Sequence, residues 1–125
     1  MTREAIVSNK VAPAAGPFSS AIRSDGLLLL SGQVAQDPKT GKLIEGDVRA
    51  QTEQIFKGLS AVLEAAGKTL SDVIRVGVYL TDIGDFGAMN EVYARHFAAP
   101  FPARTCIGVA SLPLGARVEI DLMAR

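Results

Sequence analysis

The chain has one cysteine, one histidine and no tryptophan among its 125 residues. A single cysteine excludes an intrachain disulfide and fits a chain without export features. No group of His, Cys, Asp and Glu has metal-ligand spacing, which argues against a metal site. GxGxxG is absent, and the one GK[ST], Gly67-Lys68-Thr69, lacks the earlier glycine of GxxxxGK[ST], so no phosphate-cradling loop announces a nucleotide cofactor. Charge of one sign is also missing. Lys plus Arg equals Asp plus Glu at 13 each, and no run of like charges appears. That balance argues against a dedicated nucleic-acid or anionic-membrane binder. The longest uninterrupted apolar run, Leu27 to Leu30, is far too short to span a bilayer. The start, MTREAIVSNK, has no apolar core of secretory length. These absences predict a soluble, cytoplasmic protein forming one domain over residues 1–125.

What is present alternates between strand and helix patterns. Ala5–Val7 reads as a short edge strand, followed by a loop with two prolines and a glycine, VAPAAGP. Phe18–Arg23 and Leu27–Val34 read as strands joined at Asp25-Gly26, the usual hairpin chemistry. Leu27 to Leu30 is apolar at every position, which predicts a strand covered on both faces. Between Asp47 and Gly67, residues Val48, Thr52, Ile55, Leu59, Val62 and Ala66 recur at spacings of four and three. They make one helical stripe, with Asp47 as cap and Gly67 as left-handed stop. Val73–Leu80 alternates as a strand. Asp85 is placed to cap a second helix, whose buried stripe is Phe86, Met89, Tyr93 and Phe97. Arg104–Ala110 and Arg117–Ala124 close the chain as two strands around SLPLGA.

The order β-β-β-α-β-α-β-β predicts an α+β fold with both helices on one face of a mixed sheet. The other face carries too many apolar residues for water, which predicts cover by another subunit.

The last two strands hold the candidate chemistry. Paired as a hairpin with Ala110 opposite Arg117, they set Gly108 opposite Glu119 and Cys106 diagonally from it. Arg104, Cys106 and Glu119 then share one surface around a gap without side chains, able to receive a small anion. A one-residue slip of register separates the group. Arg104 can grip a carboxylate through two parallel hydrogen bonds, or can be a surface cation paired with an acid. Glu119 can hold a water, or can be a solvated strand residue. Cys106 fits a small buried hydrophobe better than a nucleophile, because nothing in the sequence brings His96 to it. Asn90 reads as a helix-surface or subunit-contact residue, or as one that orders a neighbouring loop.

PARTCIGVASLPLGARVEI closely resembles the C-terminal signature of the RidA (YjgF) family of enamine/imine deaminases. APAAGPF, the SGQ after the second hairpin strand, DPKTG, EAAG and TDIGDFGAMNEVY extend the resemblance over nearly the whole chain. The resemblance implies a chorismate-mutase-like fold and a homotrimer with three clefts between subunits. It implies hydrolysis of reactive 2-imino acids, formed from 2-aminoacrylate-type enamines, to 2-keto acids and ammonia, with no cofactor. By position, Arg104 matches the arginine that holds the substrate carboxylate, and Glu119 matches the acid that orients the attacking water. Cys106, Ser31 and Gly32 match pocket-lining residues, and Asn90 matches a supporting polar residue. The family commonly has tyrosine after Gly-Pro. This chain has Phe18, which keeps the aromatic wall and lacks its hydroxyl. Two other readings stand beside the enzyme: a non-catalytic trimer that binds small acids or protects proteins, and an endoribonuclease or translation inhibitor, which the charge balance disfavours.

Overall fold

The structure is a computed structural model that describes residues 2–125. Its six strands are β1 (Glu4–Ile6), β2 (Ala21–Ser24), β3 (Leu27–Gln33), β4 (Val73–Leu80), β5 (Ala103–Gly108) and β6 (Val118–Ala124). Helix α1 (Val48–Ala65) lies between β3 and β4, and α2 (Phe86–His96) between β4 and β5. The order is the predicted β-β-β-α-β-α-β-β, in one mixed sheet with two helices.

Local chemistry explains the elements. At the tip of the β2–β3 hairpin, Asp25 and Gly26 both adopt positive φ, 50° and 79°, as a tight turn between right-twisted strands requires. Asp47 caps α1 by accepting a hydrogen bond from the Ala50 amide, and Gly67 follows the helix at φ 76°. The α1 stripe is buried as its spacing predicts: Val48, Thr52, Ile55, Leu59 and Val62 all face the sheet, joined by Phe56 and Leu63. Facing them are Val76, Val78 and Leu80 of β4 and Val118, Ile120 and Leu122 of β6. Each such side chain contributes about 1.5–3 kcal/mol by leaving water. No helix among the described residues is long and apolar enough to cross a membrane.

Three expectations need correction. Phe18 lies outside any strand, because β2 begins at Ala21. Leu29 is 41% exposed while Leu28 and Leu30 are buried, so β3 alternates although its sequence does not. Asp85 makes no side-chain cap to α2; its carboxylate instead takes the Arg117 guanidinium at 2.8 and 3.0 Å. A charge-assisted fork is stronger than a neutral cap, so the arginine wins the acid.

The largest correction concerns the last two strands. The sheet order is β1-β2-β3-β6-β4-β5. β5 runs parallel to β4 at the edge, and β6 runs antiparallel to β4 on its other side. The expected β5–β6 hairpin does not form, since β4 lies between them. The connection over residues 109–117 crosses that strand, with a tight turn at Leu114 (φ 61°) and Gly115 (φ 70°).

Candidate active site

That sheet order divides the candidate residues into two groups. Val76 of β4 pairs with Arg104, and Val78 pairs with Cys106. Paired residues share a face, so Arg104 and Cys106 lie on the helix side of the sheet. Tyr79 pairs with Ile107 on one side and Glu119 on the other. Glu119 therefore lies on the opposite face, and the single surface expected for Arg104, Cys106 and Glu119 does not exist within one chain.

The first group is built where edge strand β5 meets α2. The Arg104 Nη1 donates to Asn90 Oδ1 at 2.7 Å. Its guanidinium carbon sits 4.6 Å from the centre of the Tyr93 ring and 5.5 Å from that of Phe86. Cys106 is half-buried, two residues along the same strand face. Burial pushes its thiol pKa up, and the Arg104 charge only partly opposes this. The thiol is therefore protonated near neutral pH and is a poor nucleophile. His96 is engaged elsewhere: its Nε2 meets Glu53 Oε1 at 2.7 Å, and its ring stacks on Phe56.

The second group surrounds a pocket of about 330 Å³ at the end of β3, whose lining includes Phe18, Ser31, Gly32 and Glu119. Between Leu30 and Gln33 the β3–β6 register shifts, which swings Ser31 and Gly32 out of regular pairing. The Ser31 hydroxyl donates to the Ser19 carbonyl at 2.6 Å, and its amide donates to the Ser20 carbonyl at 3.0 Å. Both bonds tie the bulge to the loop that carries Phe18. Gly32 lies directly against Glu119: a Cβ there would land on the carboxylate Oε2. Burial, and then the neighbouring Asp121 charge, pushes the Glu119 pKa above the usual carboxylate range. Asp121 itself accepts the Tyr79 hydroxyl hydrogen bond at 3.1 Å.

Of the expected residues, the structure thus brings Arg104, Asn90 and Cys106 together, and Phe18, Ser31, Gly32 and Glu119 together elsewhere. Sequence reasoning assigned Phe86 and Tyr93 to a buried stripe. Tyr93 is buried, but Phe86 is 40% exposed, and both rings flank Arg104. The signal is in the spacing: Phe86 and Tyr93, four before and three after, share one helical face with Asn90.

A family model described as endoribonuclease L-PSP matches residues 9–125. The chain belongs to the RidA (YjgF) family. A mouse protein named 2-iminobutanoate/2-iminopropanoate deaminase is 42% identical over 120 residues, covering 95% of this chain and 89% of its own. RidA from an Antarctic Psychrobacter matches with a TM-score of 0.93 at 41% identity, over 98% of both chains. Escherichia coli TdcF with bound serine matches with a TM-score of 0.90 at 32% identity, over 97% of both. RidA-family likeness thus extends through every element that carries a candidate residue.

Proposed function

We propose that this chain hydrolyses small 2-imino acids to 2-keto acids and ammonia, in clefts formed between copies of a homotrimer. The observation that carries the reading is the division of the candidate residues. A half-buried guanidinium without an acid partner among the described residues lies on one face of the sheet, and a carboxyl beside a pocket lies on the other. Neither group alone holds and hydrates a substrate. Facing copies bring one of each together. Relatives named for this reaction, near 40% identity, support the choice of chemistry.

In this reading Arg104 holds the substrate carboxylate by a bidentate contact. The imine carbon then lies over the bulge at Ser31 and Gly32, walled by Phe18. Glu119 of the facing copy holds a water against that carbon. The substrate reacts as its protonated imine: as the water oxygen bonds to carbon, Glu119 takes a proton from the water and the C=N electron pair moves to nitrogen, leaving a neutral amine. Glu119 then passes that proton to the nitrogen and takes the hydroxyl proton as the carbonyl forms, the carbon–nitrogen bond breaks to release ammonia, and the proton on Glu119 returns to solvent. One water is consumed and no redox change occurs. Positioning and electrostatics suffice, because an imine carbon is already electrophilic. We place the reaction in the cytoplasm and require no cofactor.

The test generates 2-aminoacrylate in the assay and follows ammonia and keto-acid release. Accelerated release is expected, and release at the uncatalysed rate would reject the deaminase. The E. coli relative with bound serine favours one second reading, a trimer that only binds small acids. That protein would bind 2-oxobutanoate without accelerating release.

A further inference from the structure

Four other arginines of the chain pair with carboxylates: Arg23 with Glu4, Arg49 with Glu91, Arg95 with Glu53, and Arg117 with Asp85. Arg104 is half-buried and pairs with none among the described residues. Its surroundings are two aromatic rings and one neutral amide, at 4.6, 5.5 and 2.7 Å. All three come from one face of α2, at positions 86, 90 and 93.

We propose that Phe86 and Tyr93 are positioning residues that hold the Arg104 guanidinium by cation–π contact while leaving its charge and its remaining hydrogen-bond donors free for a carboxylate. The inference rests on the deaminase reading for the ligand's identity, and on the geometry alone for the holding. A guanidinium is weakly hydrated and stacks well on aromatic rings. A half-buried cation would ordinarily be held by an acid. An acid at this position would neutralise it and compete with an incoming carboxylate. Aromatic rings hold the same cation without neutralising it. Asn90 fixes the roll of the plane through Nη1, and its amide oxygen carries no net charge. Nε and Nη2 keep no acceptor among the described residues, which is the edge a bidentate ligand needs. Long side-chain freedom is thereby removed before the ligand arrives, which favours binding.

The experiment measures 2-oxobutanoate affinity by calorimetry, with KM and kcat on 2-iminobutanoate, for the wild type and four variants. Tyr93→Leu is expected to weaken binding about five- to thirtyfold, the range of a partly desolvated cation–π contact. KM should rise by the same factor and kcat should change less. Tyr93→Phe keeps the ring and should restore binding to within about twofold of wild type. Asn90→Asp keeps the shape and adds a charge, so it should weaken binding about tenfold or more. A merely structural role would not respond to that charge. Phe86→Leu, at a half-exposed position with little folding risk, should weaken binding about threefold.

Wild-type affinity in folded Tyr93→Leu and Phe86→Leu proteins would overturn the proposal. If Tyr93→Leu does not fold, unchanged affinity in Phe86→Leu overturns it alone. Unchanged affinity in Asn90→Asp would overturn the claim that the charge is kept free. A wild type that binds 2-oxobutanoate but hydrolyses no imine rejects the deaminase and leaves the cage to be judged by the affinities. A wild type that binds no 2-oxobutanoate overturns the cage as a carboxylate device, whatever the imine assay reports.

Discussion

Arg104 and Glu119 carry opposite burdens at the scale of single residues. If Arg104 holds the substrate carboxylate as proposed, Arg104→Ala removes a bidentate, charge-assisted contact and should cost about 3 kcal/mol or more of transition-state stabilisation, roughly a hundredfold in kcat/KM. Lysine restores a point charge without the fork and should rescue only partly. Cys106→Ser should be tolerated far better, since burial keeps the thiol protonated; mass-spectrometric capture of substrate on Cys106 would contradict this. Glu119 is a different case, because the fold holds it in an unfavourable state. Its pKa is raised by burial first and by Asp121 second. A carboxyl with a higher pKa folded than unfolded binds its proton more tightly when folded. Stability is therefore lost as pH rises from the ordinary carboxylate range through the folded value. Glu119→Gln removes that loss. Its melting temperature should exceed the wild type's above that window and match it in acid, while activity falls by about tenfold or more. A wild-type kcat/KM that stays flat as pH climbs through the same window would remove Glu119 from the proton transfer.

The bulge in β3 and the edge strand β5 show what elements add. The bulge exists to let Glu119 approach the backbone, and Gly32 is the residue that permits it. Gly32→Ala should displace the carboxylate, lowering kcat well beyond its effect on stability; a fully active, stable Gly32→Ala protein would show that the contact is incidental. Much of this level was legible in the sequence, for local reasons. α1 follows from its stripe, its Asp47 cap and its Gly67 stop. β4 follows from alternation, and the β2–β3 hairpin from Asp25-Gly26. The β5–β6 pairing was misread because the evidence for it was also local: two apolar strands around a Pro and Gly turn. Nothing within either strand reveals that β4 inserts between them. The one clue is length, since residues 109–117 exceed the two to five residues of most hairpin loops. Leu29 shows the same limit on a smaller scale. Four leucines look two-sided, and only the sheet shows which of them point away from the helices. The candidate residues can be named from the sequence and their arrangement cannot, because arrangement depends on long-range strand order.

For the whole molecule, that order makes a testable demand. Arg104 faces the helices and Glu119 faces away from them, so within one chain the two lie on opposite faces of the sheet. The outer face of the sheet holds Leu29 and Ile107, 41% and 45% exposed, beside the polar residues Tyr79, Glu119 and Asp121. A surface of that mixture suits a partner of the same kind better than open water. In a cyclic trimer each cleft would draw its arginine from one copy and its glutamate from the next. Sedimentation should then give the mass of three chains. Mixing gives the sharper result. Arg104→Ala and Glu119→Gln are each expected to fall to about a tenth of wild-type activity or below, since every cleft loses the same half. When the two are unfolded together in equal amounts and refolded, each cleft receives its halves independently. About one cleft in four then combines an intact Arg104 with an intact Glu119, so activity should recover to about a quarter of wild type. A site contained within one chain predicts no recovery at any mixing ratio. Recovery in a monomeric protein would be equally fatal to the trimer, because it would require the two halves to meet without a stable interface.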